Sequence, residues 1–514
     1  MTATDTSHAG GSSPDAPSGG EGTAAPETHV DRALIIVASV VVLGTIMSIL
    51  DTTVVNVAID TLATRFKTSL TTIQWVATGY TLALATVIPL SGWIADRFGT
   101  KRLYMISIGL FVIGSALSGI SSSATEIIVF RVLQGLGGGM IMPAGMTILT
   151  KAAGPARIGR VMAIIGVPMM IGPILGPVLG GWLVSDVGWR WIFFINAPIG
   201  VIAIIAALKV LPADKPQHGE KLDLVDLLLV SPGLALFIFG LAKTNPGGFG
   251  QAKVLVPMLV GLALLVAFVS HALRNEHPLI DLRLFKDRTF ATSSLTLTLV
   301  AISVFGSFLL LPLYFQSVRG ESALQSGLLL IPQGVGSMIM MPIAGVLSDK
   351  TGAGRIVPFG LVAVLASVLW LTQIGAHTSY VDTSIALLVF GFGMGFTMMP
   401  VFTGAMQSLK GSQVARGSTL LNILQQTGAS IGTAVLTVVL ATAITARLGQ
   451  GGSIGSADSL TPEMRERVAP LMASAFGHAF WWAFGLLVIA FFGSLLLPKT
   501  KPDLPEGAAP VVPL

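Results

Sequence analysis

Long apolar runs recur along almost the whole sequence, and they decide what this chain can fold into. A helix needs about 20 predominantly apolar residues to cross the hydrocarbon core of a bilayer, and most runs are near that length. Lipid leaves an open strand edge without hydrogen-bond partners, so the runs indicate helices. We predict about fourteen spans, at roughly residues 33–59, 73–95, 103–120, 127–149, 161–184, 193–210, 224–242, 254–270, 291–314, 327–347, 356–374, 384–404, 420–444 and 479–497.

Charged residues are too few to cover a water-facing surface. Only 11% of the 514 residues are charged, whereas a soluble domain carries roughly 25%. Lipid is therefore the expected solvent. The sequence has no cysteine, no GxxxxGK(S/T) phosphate loop and no HExxH zinc motif. Its two GxSxG matches, 428–432 and 451–455, lie inside an apolar run and in a glycine-rich segment, and neither has the strand-to-helix turn of a nucleophile elbow. We expect no enzyme, no metal and no cofactor.

One charged segment between two of the runs occurs twice. The first copy spans Gly92–Arg102 and the second spans Gly345–Arg355, at a constant offset of 253 positions. Two glycines, an aspartate and an arginine match in the two copies: Gly92, Asp96, Gly99 and Arg102 in the first, and Gly345, Asp349, Gly352 and Arg355 in the second. Two similarly built halves inside a membrane are typical of transporters.

We interpret each copy as a short loop between two helices, at the inner face of the membrane. Asp96 and Arg97 would meet helix dipoles and acidic groups of the opposite bundle there, which suits a latch that holds one face closed. The alternative is simple retention of positive charge on the inner side, and Lys101 and Arg102 fit that role.

The spans are grouped as six, two and six. We expect a disordered tail at 1–31, a six-helix bundle at 32–211, an inserted helix pair at 212–273, a loop at 274–290, a second six-helix bundle at 291–497 and a tail at 498–514. Of the 30 Lys and Arg residues, about 20 fall on one side of this layout and 9 on the other. Positive charge collects on the cytoplasmic side, so both termini are predicted to be cytoplasmic. The net charge of +5 reflects this topology, and we expect no nucleic-acid partner.

Asp51 and Arg131 are the two ionisable groups predicted to lie at membrane depth. An ionisable group in lipid is expensive, which makes each a functional hypothesis. Asp51 lies about 12 Å from the outer end of the first span, and Arg131 enters at a similar depth in the fourth. Burial favours a neutral carboxyl group and a nearby guanidinium favours a charged one, so the pair suits a proton-coupling site. The alternative is a static ion pair that only fixes helix packing.

The fifth predicted span carries a glycine and proline motif. Its glycines Gly172, Gly176 and Gly180 share one face, where a neighbouring helix can approach closely. Pro173 and Pro177 each remove a backbone hydrogen bond and bend the helix, and Gly181 completes the motif.

No Asp or Glu lies deep in a span of the second half. The polar candidates for a cargo cavity are Asn56, Gln134, Gln316, Gln333 and Asn422. Interhelical hydrogen bonding accounts for most residues of this kind. A few of the many methionines can line an adaptable cavity, because thioether side chains repack around different shapes. The set comprises Met169, Met170, Met338, Met340, Met341, Met394, Met398 and Met399.

Five motifs together resemble the major facilitator superfamily, in its fourteen-helix drug:proton antiporter branch. Gly92–Arg102 resembles the superfamily's motif between helices two and three, with Thr100 where the family usually has Arg. The segment 50–58 around Asp51 is similar to the branch's first-helix motif, and 131–135 to the fourth-helix motif with its buried Arg. Gly172–Gly181 resembles the antiporter motif of the fifth helix, and the segment 189–196 also matches the branch.

The resemblance implies an all-helical membrane fold of two pseudo-symmetric six-helix bundles with an inserted pair. It implies export of amphipathic drugs or antibiotics against protons by alternating access. We expect a multi-pass monomer in the cell inner (plasma) membrane. Small amphipathic substrates, protons and the bilayer are then the expected partners, and the proton gradient is the driving force. The alternatives are a dedicated exporter of an endogenous metabolite, lipid or siderophore, and a transport-inactive membrane sensor.

Overall fold

The computed structural model describes residues 32–154, 157–158, 172, 175–176, 178–212, 222–244, 249–276, 278–410, 413–448 and 462–499. These residues form helices and no strand. The α-helices are α1 (Arg32–Arg65), α2 (Leu70–Ile73), α3 (Trp75–Phe98), α4 (Thr100–Ile120), α5 (Ala124–Ala153), α6 (Val178–Val187, π-helical in its last turn), α7 (Trp191–Phe194), α8 (Asn196–Val210), α9 (Leu224–Ala242), α10 (Ala252–Arg274), α11 (Arg288–Ser317), α12 (Ala323–Leu329), α13 (Ile331–Thr351), α14 (Ala353–Leu371), α15 (Tyr380–Gln407), α16 (Val414–Leu448) and α17 (Pro462–Ser494).

The chain is a multi-pass membrane protein. Among the described residues, 13 helices are long and apolar enough to cross a membrane, and α6 is a shorter apolar helix. The predicted fifth span, 161–184, lies largely outside the described residues. Several helices extend past their predicted ends: α1 continues to Arg65, α16 runs from Val414 to Leu448, and α17 begins at Pro462. Counting apolar residues marks only the part of a helix that faces lipid, whereas its hydrogen-bonded backbone continues into the polar interface.

The spans before and after the inserted pair pack as two groups. In the first, α5 lies against α3 and α4, while α8 lies against α1 and α4. In the second, α15 lies against α13 and α14, and α11 against α16 and α17. Glycines bring the backbones close: a Cβ atom on Gly137 of α5 would lie 2.5 Å from Phe111 N of α4.

The inserted pair lies at the junction of the two groups. α9 contacts α3 of the first group and α16 of the second, and Ser231 Oγ of α9 donates a hydrogen bond to Thr86 O at 2.6 Å. Gly261 of α10 packs against the backbone of Phe237 in α9. α10 is held mainly by α9, so most of its surface remains for lipid.

The repeated segment is helical in both copies, so our interpretation of it as a loop is wrong. α3 ends at Phe98 and α4 begins at Thr100, which leaves Gly99 as the only non-helical residue. Its φ of 91° is a conformation that residues with a side chain rarely adopt, and Gly352, between α13 and α14, has φ 85°. The charged residues around each glycine lie in helix ends at the interface, where their side chains reach water without interrupting the backbone.

The two groups touch at the end that the charge distribution predicts to be cytoplasmic. Ser91 Oγ of α3 lies 3.0 Å from Thr419 Oγ1 of α16, and Ser418 Oγ donates to Pro143 O of α5 at 3.3 Å. Asp96 Oδ2 lies 3.5 Å from Arg416 Nε. We call this contact region the seam. We predicted that this copy of the repeat contacts the opposite group, and Asp96 does so. Its partner is the basic residue Arg416, whereas acidic partners were predicted.

Candidate functional site

The candidate site is built on two helices of the first group. α5 begins beside Ser123, whose side chain accepts a hydrogen bond from Glu126 N, and Arg131 follows about two turns later. α1 brings Asp51 to the same depth from the opposite chain direction. Both residues are buried, with only 1% of each exposed. The structure therefore brings together the two ionisable groups that the sequence places at membrane depth.

The Asp51 carboxylate accepts three hydrogen bonds. Arg131 NH1 donates to Oδ2 at 2.5 Å, while Gln134 Nε2 and Asn196 Nδ2 donate to Oδ1 at 2.8 Å and 3.1 Å. A guanidinium and two amide groups therefore all point their donors at this one carboxylate. The described conformation uses Asp51 as the common acceptor of α1, α5 and α8.

Arg131 is held on every side. Besides Asp51, it donates to Gln134 Oε1 at 2.8 Å and from Nε to Val76 O at 3.2 Å. Its guanidinium carbon lies 4.1 Å from the centroid of the Tyr80 ring, within the range of a cation–π contact. These neutral partners hold the guanidinium independently of the carboxylate.

Two members of this cluster were not predicted as site residues. Tyr80 supplies the ring beneath Arg131, and its hydroxyl lies 3.3 Å from Ser48 Oγ. Asn196 joins Asp51 to Ser115 Oγ, which lies 3.0 Å from Nδ2. The segment 189–196 carried a usable signal for Asn196, because it is a matched motif that ends on an amide beside a span. Nothing in the sequence distinguishes Tyr80 from an ordinary buried aromatic residue.

Beside Asp51, α1 presents a polar stripe and a packing face. Ser48, Thr52 and Asn56 are four residues apart and share one face, on which Thr52 and Asn56 are exposed. Polar side chains at membrane depth face the protein interior or a water-filled cavity, which favours this face as the lining of a passage. Asn56, a predicted cavity residue, lies on this stripe.

The described glycines of the fifth-span motif pack on α1, as their common face predicts. Modest additions there would clash: a Cβ atom on Gly180 would lie 3.1 Å from Val54 O, and the sites of Gly172 and Gly176 are tighter still, against Ile49 and Thr53. Gly181 faces open space. Pro173 and Pro177 lie outside the described residues. Gly172, Gly176 and Gly180 therefore bring their backbone directly against the helix that carries Asp51.

A cavity, which we call the methionine cavity, lies between the two groups of helices. It measures about 30 Å³ and takes its lining from α5, α11, α13, α15 and α16. Its lining is almost wholly apolar, with Gln425 as the single polar side chain: Met142, Met146, Leu297, Phe305, Phe308, Met341, Met394, Met398, Met399, Phe402 and Gln425. Four of the predicted methionines line it. Met338 is exposed instead, and Met169 and Met170 lie outside the described residues.

The other predicted cavity residues lie elsewhere. Gln134 belongs to the Asp51 cluster, and Gln316 is exposed on the last turn of α11. Asn422 donates to Ser418 O within its own helix at 2.8 Å. Gln333 is buried against α15, and its Oε1 has no hydrogen-bond partner among the described residues. Gln425 occupies the position that we expected for Gln333 or Asn422.

The repeat residues divide into three kinds. Gly92 packs against Thr419 and Arg416 at the seam. Lys101 Nζ donates to Leu208 O at 2.9 Å and Leu211 O at 2.6 Å, so it caps the end of α8 as well as carrying charge. Asp96 pairs with Arg416 at the seam, as described above. Of the others, Arg97, Arg102 and Arg355 are exposed, Gly345 lies within α13, and the side chain of Asp349 is outside the described set.

One cluster of the described residues has the composition of a metal site: Asp223, Asp226 and His271, at the end of the inserted pair that is predicted to be cytoplasmic. Its carboxylates are already engaged. Asp226 lies 2.9 Å from His271 Nδ1 and accepts from Leu279 N at 2.8 Å, while Asp223 accepts from Val225 N at 2.8 Å and from Asn275 Nδ2. The cluster acts as a tie between α9, α10 and the segment that follows.

Comparison with known proteins gives a consistent result. The family model described as Major Facilitator Superfamily matches residues 41–433. The "Multidrug resistance protein B homolog" of Mycobacterium tuberculosis is 42% identical over 494 residues, which cover 92% of each chain. The "Multidrug export protein EmrB" of Haemophilus influenzae is 32% identical, over 79% of this chain and 80% of its own.

Solved structures share the fold at low identity. A double-Trp mutant of XylE superposes with a TM-score of 0.61 at 17% identity, covering 92% of this chain and 98% of that one. The human organic anion transporter MFSD10 gives 0.59 at 16% identity, covering 88% and 99%. At these identities the similarity concerns the fold alone.

Proposed function

The chain belongs to the major facilitator superfamily, and we propose that within it this protein exports amphipathic drugs in exchange for protons. Relatives named as multidrug resistance and multidrug export proteins cover most of its length. The observation that carries proton coupling is the buried Asp51 cluster, with its carboxylate bonded to Arg131, Gln134 and Asn196. Small substrates cross the membrane through the protein, and the proton gradient drives them outward.

In this cluster, binding of one proton to Asp51 changes the contacts between helices. When Asp51 is charged, it ties α1 to α5 through Arg131 and Gln134, and to α8 through Asn196. Protonation removes the charge that these donors stabilise, and the α1–α5 tie weakens. A buried ion pair that loses one partner typically costs about 3–5 kcal/mol, which is enough to change which of two conformations is favoured.

From the seam we infer which side of the membrane the described conformation faces. Contacts between α16 and the helices α3 and α5 close the end that is predicted to be cytoplasmic. Protons from outside would then reach Asp51 in this state, after drug has left. The reverse state would open the seam, release the proton to the cytoplasm and admit drug. This cycle requires both termini to be cytoplasmic and the protein to lie in the cell membrane, which the distribution of Lys and Arg favours. One chain holds every part of it, so we propose a monomer.

The methionine cavity is the proposed drug site. Its present volume of about 30 Å³ is far below the roughly 300–1,000 Å³ of small-molecule sites, so drug binding must open it. Flexible methionine side chains allow this and tolerate different shapes. α5 joins the two sites physically, because it carries Arg131 and Gln134 in one half and Met142 and Met146 in the other.

The decisive experiment measures proton and drug movement together. The full chain is reconstituted into vesicles with a cationic dye and a pH-sensitive probe, and a proton gradient is imposed. We expect dye transport by the wild type and none by Asp51→Asn, with equal amounts of folded protein in both. Proton-driven transport at the wild-type rate in Asp51→Asn would remove Asp51 from the mechanism.

A further inference from the structure

A second and larger cleft lies outside the proposed transport path. It measures about 1030 Å³ and opens between α3 and α10, with α9 as its floor. The helix ends that form it are the start of α3, the end of α9 and the start of α10, all on the side predicted to face outward. We call it the outer cleft. None of the Asp51 cluster and none of the methionine cavity residues line it.

The walls of the outer cleft are apolar below and aromatic near the mouth. Leu236, Val256 and Val260 line its deeper part. Trp75 and Phe239 stack at the mouth with their ring centroids 5.6 Å apart. Tryptophan collects at the boundary between hydrocarbon and headgroups, which indicates that the mouth lies at headgroup level.

Two lysines stand at this mouth. Lys243 Nζ lies 5.3 Å from the Trp75 ring centroid and 5.4 Å from that of Phe239, and Lys253 follows at the start of α10. Within the described residues, neither ammonium group is within ion-pair distance of a carboxylate. The outer side carries only 9 of the chain's 30 basic residues, so two at one cleft form a local concentration of positive charge.

We propose that the outer cleft binds an anionic phospholipid of the outer leaflet. Its headgroup phosphate would lie between Lys243 and Lys253, and an acyl chain would lie along Val256 and Val260. Paired basic residues beside an apolar groove between spanning helices suit an anionic headgroup, because the charge and the chain are recognised at adjacent depths. The site holds lipid at the contact of the inserted pair with α3, and it is independent of proton coupling.

The test counts lipid on the purified full chain, without measuring transport. Delipidated protein is titrated by native mass spectrometry with phosphatidylglycerol and, separately, with phosphatidylcholine of the same chains. We expect the first phosphatidylglycerol to bind more tightly, by about fivefold for each lysine. Lys243→Gln with Lys253→Gln should bring the two lipids to equal affinity.

The matched control is Arg65→Gln with Lys67→Gln, which removes two exposed outer charges at the end of α1. It should keep the preference for phosphatidylglycerol. Thr78→Trp, which fills the cleft and leaves both lysines, should abolish binding of the first lipid. Equal affinities in the wild type, or an equal loss in the control, would overturn the proposal. Binding of inorganic phosphate that competes with lipid at equal strength would replace the lipid by a free anion and also overturn it.

Discussion

The two groups of helices share one architecture but differ in what they bury. The first buries a carboxylate and a guanidinium in contact, with amide partners on both. In the described part of the second, the corresponding interior is apolar and rich in methionine and phenylalanine, with Gln425 facing the cavity. The internal repeat therefore preserves the helix arrangement, while the two copies bury different kinds of side chain. In the proposed mechanism, the first would hold the charge that a proton cancels, and the second would offer most of the surface that a drug contacts.

Arg131→Leu tests the charged half and should have the largest effect. It leaves the Asp51 carboxylate buried without its cation, so the free energy of unfolding should fall by about 3–5 kcal/mol. Thermal unfolding in detergent measures this. Adding Asp51→Asn should restore much of the loss, because the uncompensated charge is gone. A double variant as unstable as the single one would show that packing, and not charge, dominates here.

The matched change in the other half is Gln425→Leu. It removes one neutral, partly buried polar group, and it should change the free energy of unfolding by less than about 1 kcal/mol. A loss as large as that of Arg131→Leu would contradict the division between the two groups.

Met398→Trp tests the drug-binding half. The larger side chain fills the methionine cavity, so we expect transport of a bulky dye to fall by roughly tenfold, in the range that small changes in a hydrophobic pocket produce. The control is Met338→Trp, at an exposed position on α13. Equal losses in both variants would place the drug elsewhere.

Substituting the two glycines of the repeat tests whether both halves need the same turn at positive φ. Gly99→Ala and Gly352→Ala each place a side chain at positive φ, which costs roughly 1–2 kcal/mol. We expect similar decreases in thermal stability for both. Gly109→Ala, in a helical position with open space around it, serves as the control and should not destabilise. A loss at only one of the two glycines would mean that the repeated geometry matters in that half alone.

Asp96→Asn should have the smallest effect. It weakens a partly exposed ion pair with Arg416, for which about 0.2–1 kcal/mol is typical. We expect up to about a fivefold shift toward the state with an open seam, measured by the distance between spin labels on α3 and α16. The matched control is Arg97→Gln, which removes an exposed charge from the same helix end without touching the seam. Identical label distances in the wild type and Asp96→Asn would show that this ion pair does not affect opening of the seam.

Much of the fold follows from the sequence because lipid makes simple demands. A long apolar run has few alternatives to a helix, and the inserted helix α9 lies at the predicted bounds of 224–242. Asp51 and Arg131 were identifiable because charge in lipid is rare. Helix ends were less predictable. The backbone of α3 continues through Asp96 and Arg97 because polar side chains at an interface do not end a helix, and only Gly99 does.

The neutral parts of the site were harder to predict. Gln425, Gln333 and Asn422 are equally polar, and only the rotation of each helix decides which one reaches the cavity. Asn196 and Tyr80 owe their roles to distances from Asp51 and Arg131 that no local pattern encodes. Rotational position is set by packing between helices distant in sequence.

The polar contacts of the seam that the structure describes are individually small: hydroxyl contacts at Ser91 and Ser418 and an ion pair at Asp96. Each contributes on the order of 1 kcal/mol, so their sum is comparable to what one well-placed ligand can supply. Such a closure is reversible, and a small change in free energy shifts the balance between its closed and open states. We expect both faces to be sampled at equilibrium, with binding of a proton or a drug setting the fraction of time that each is open.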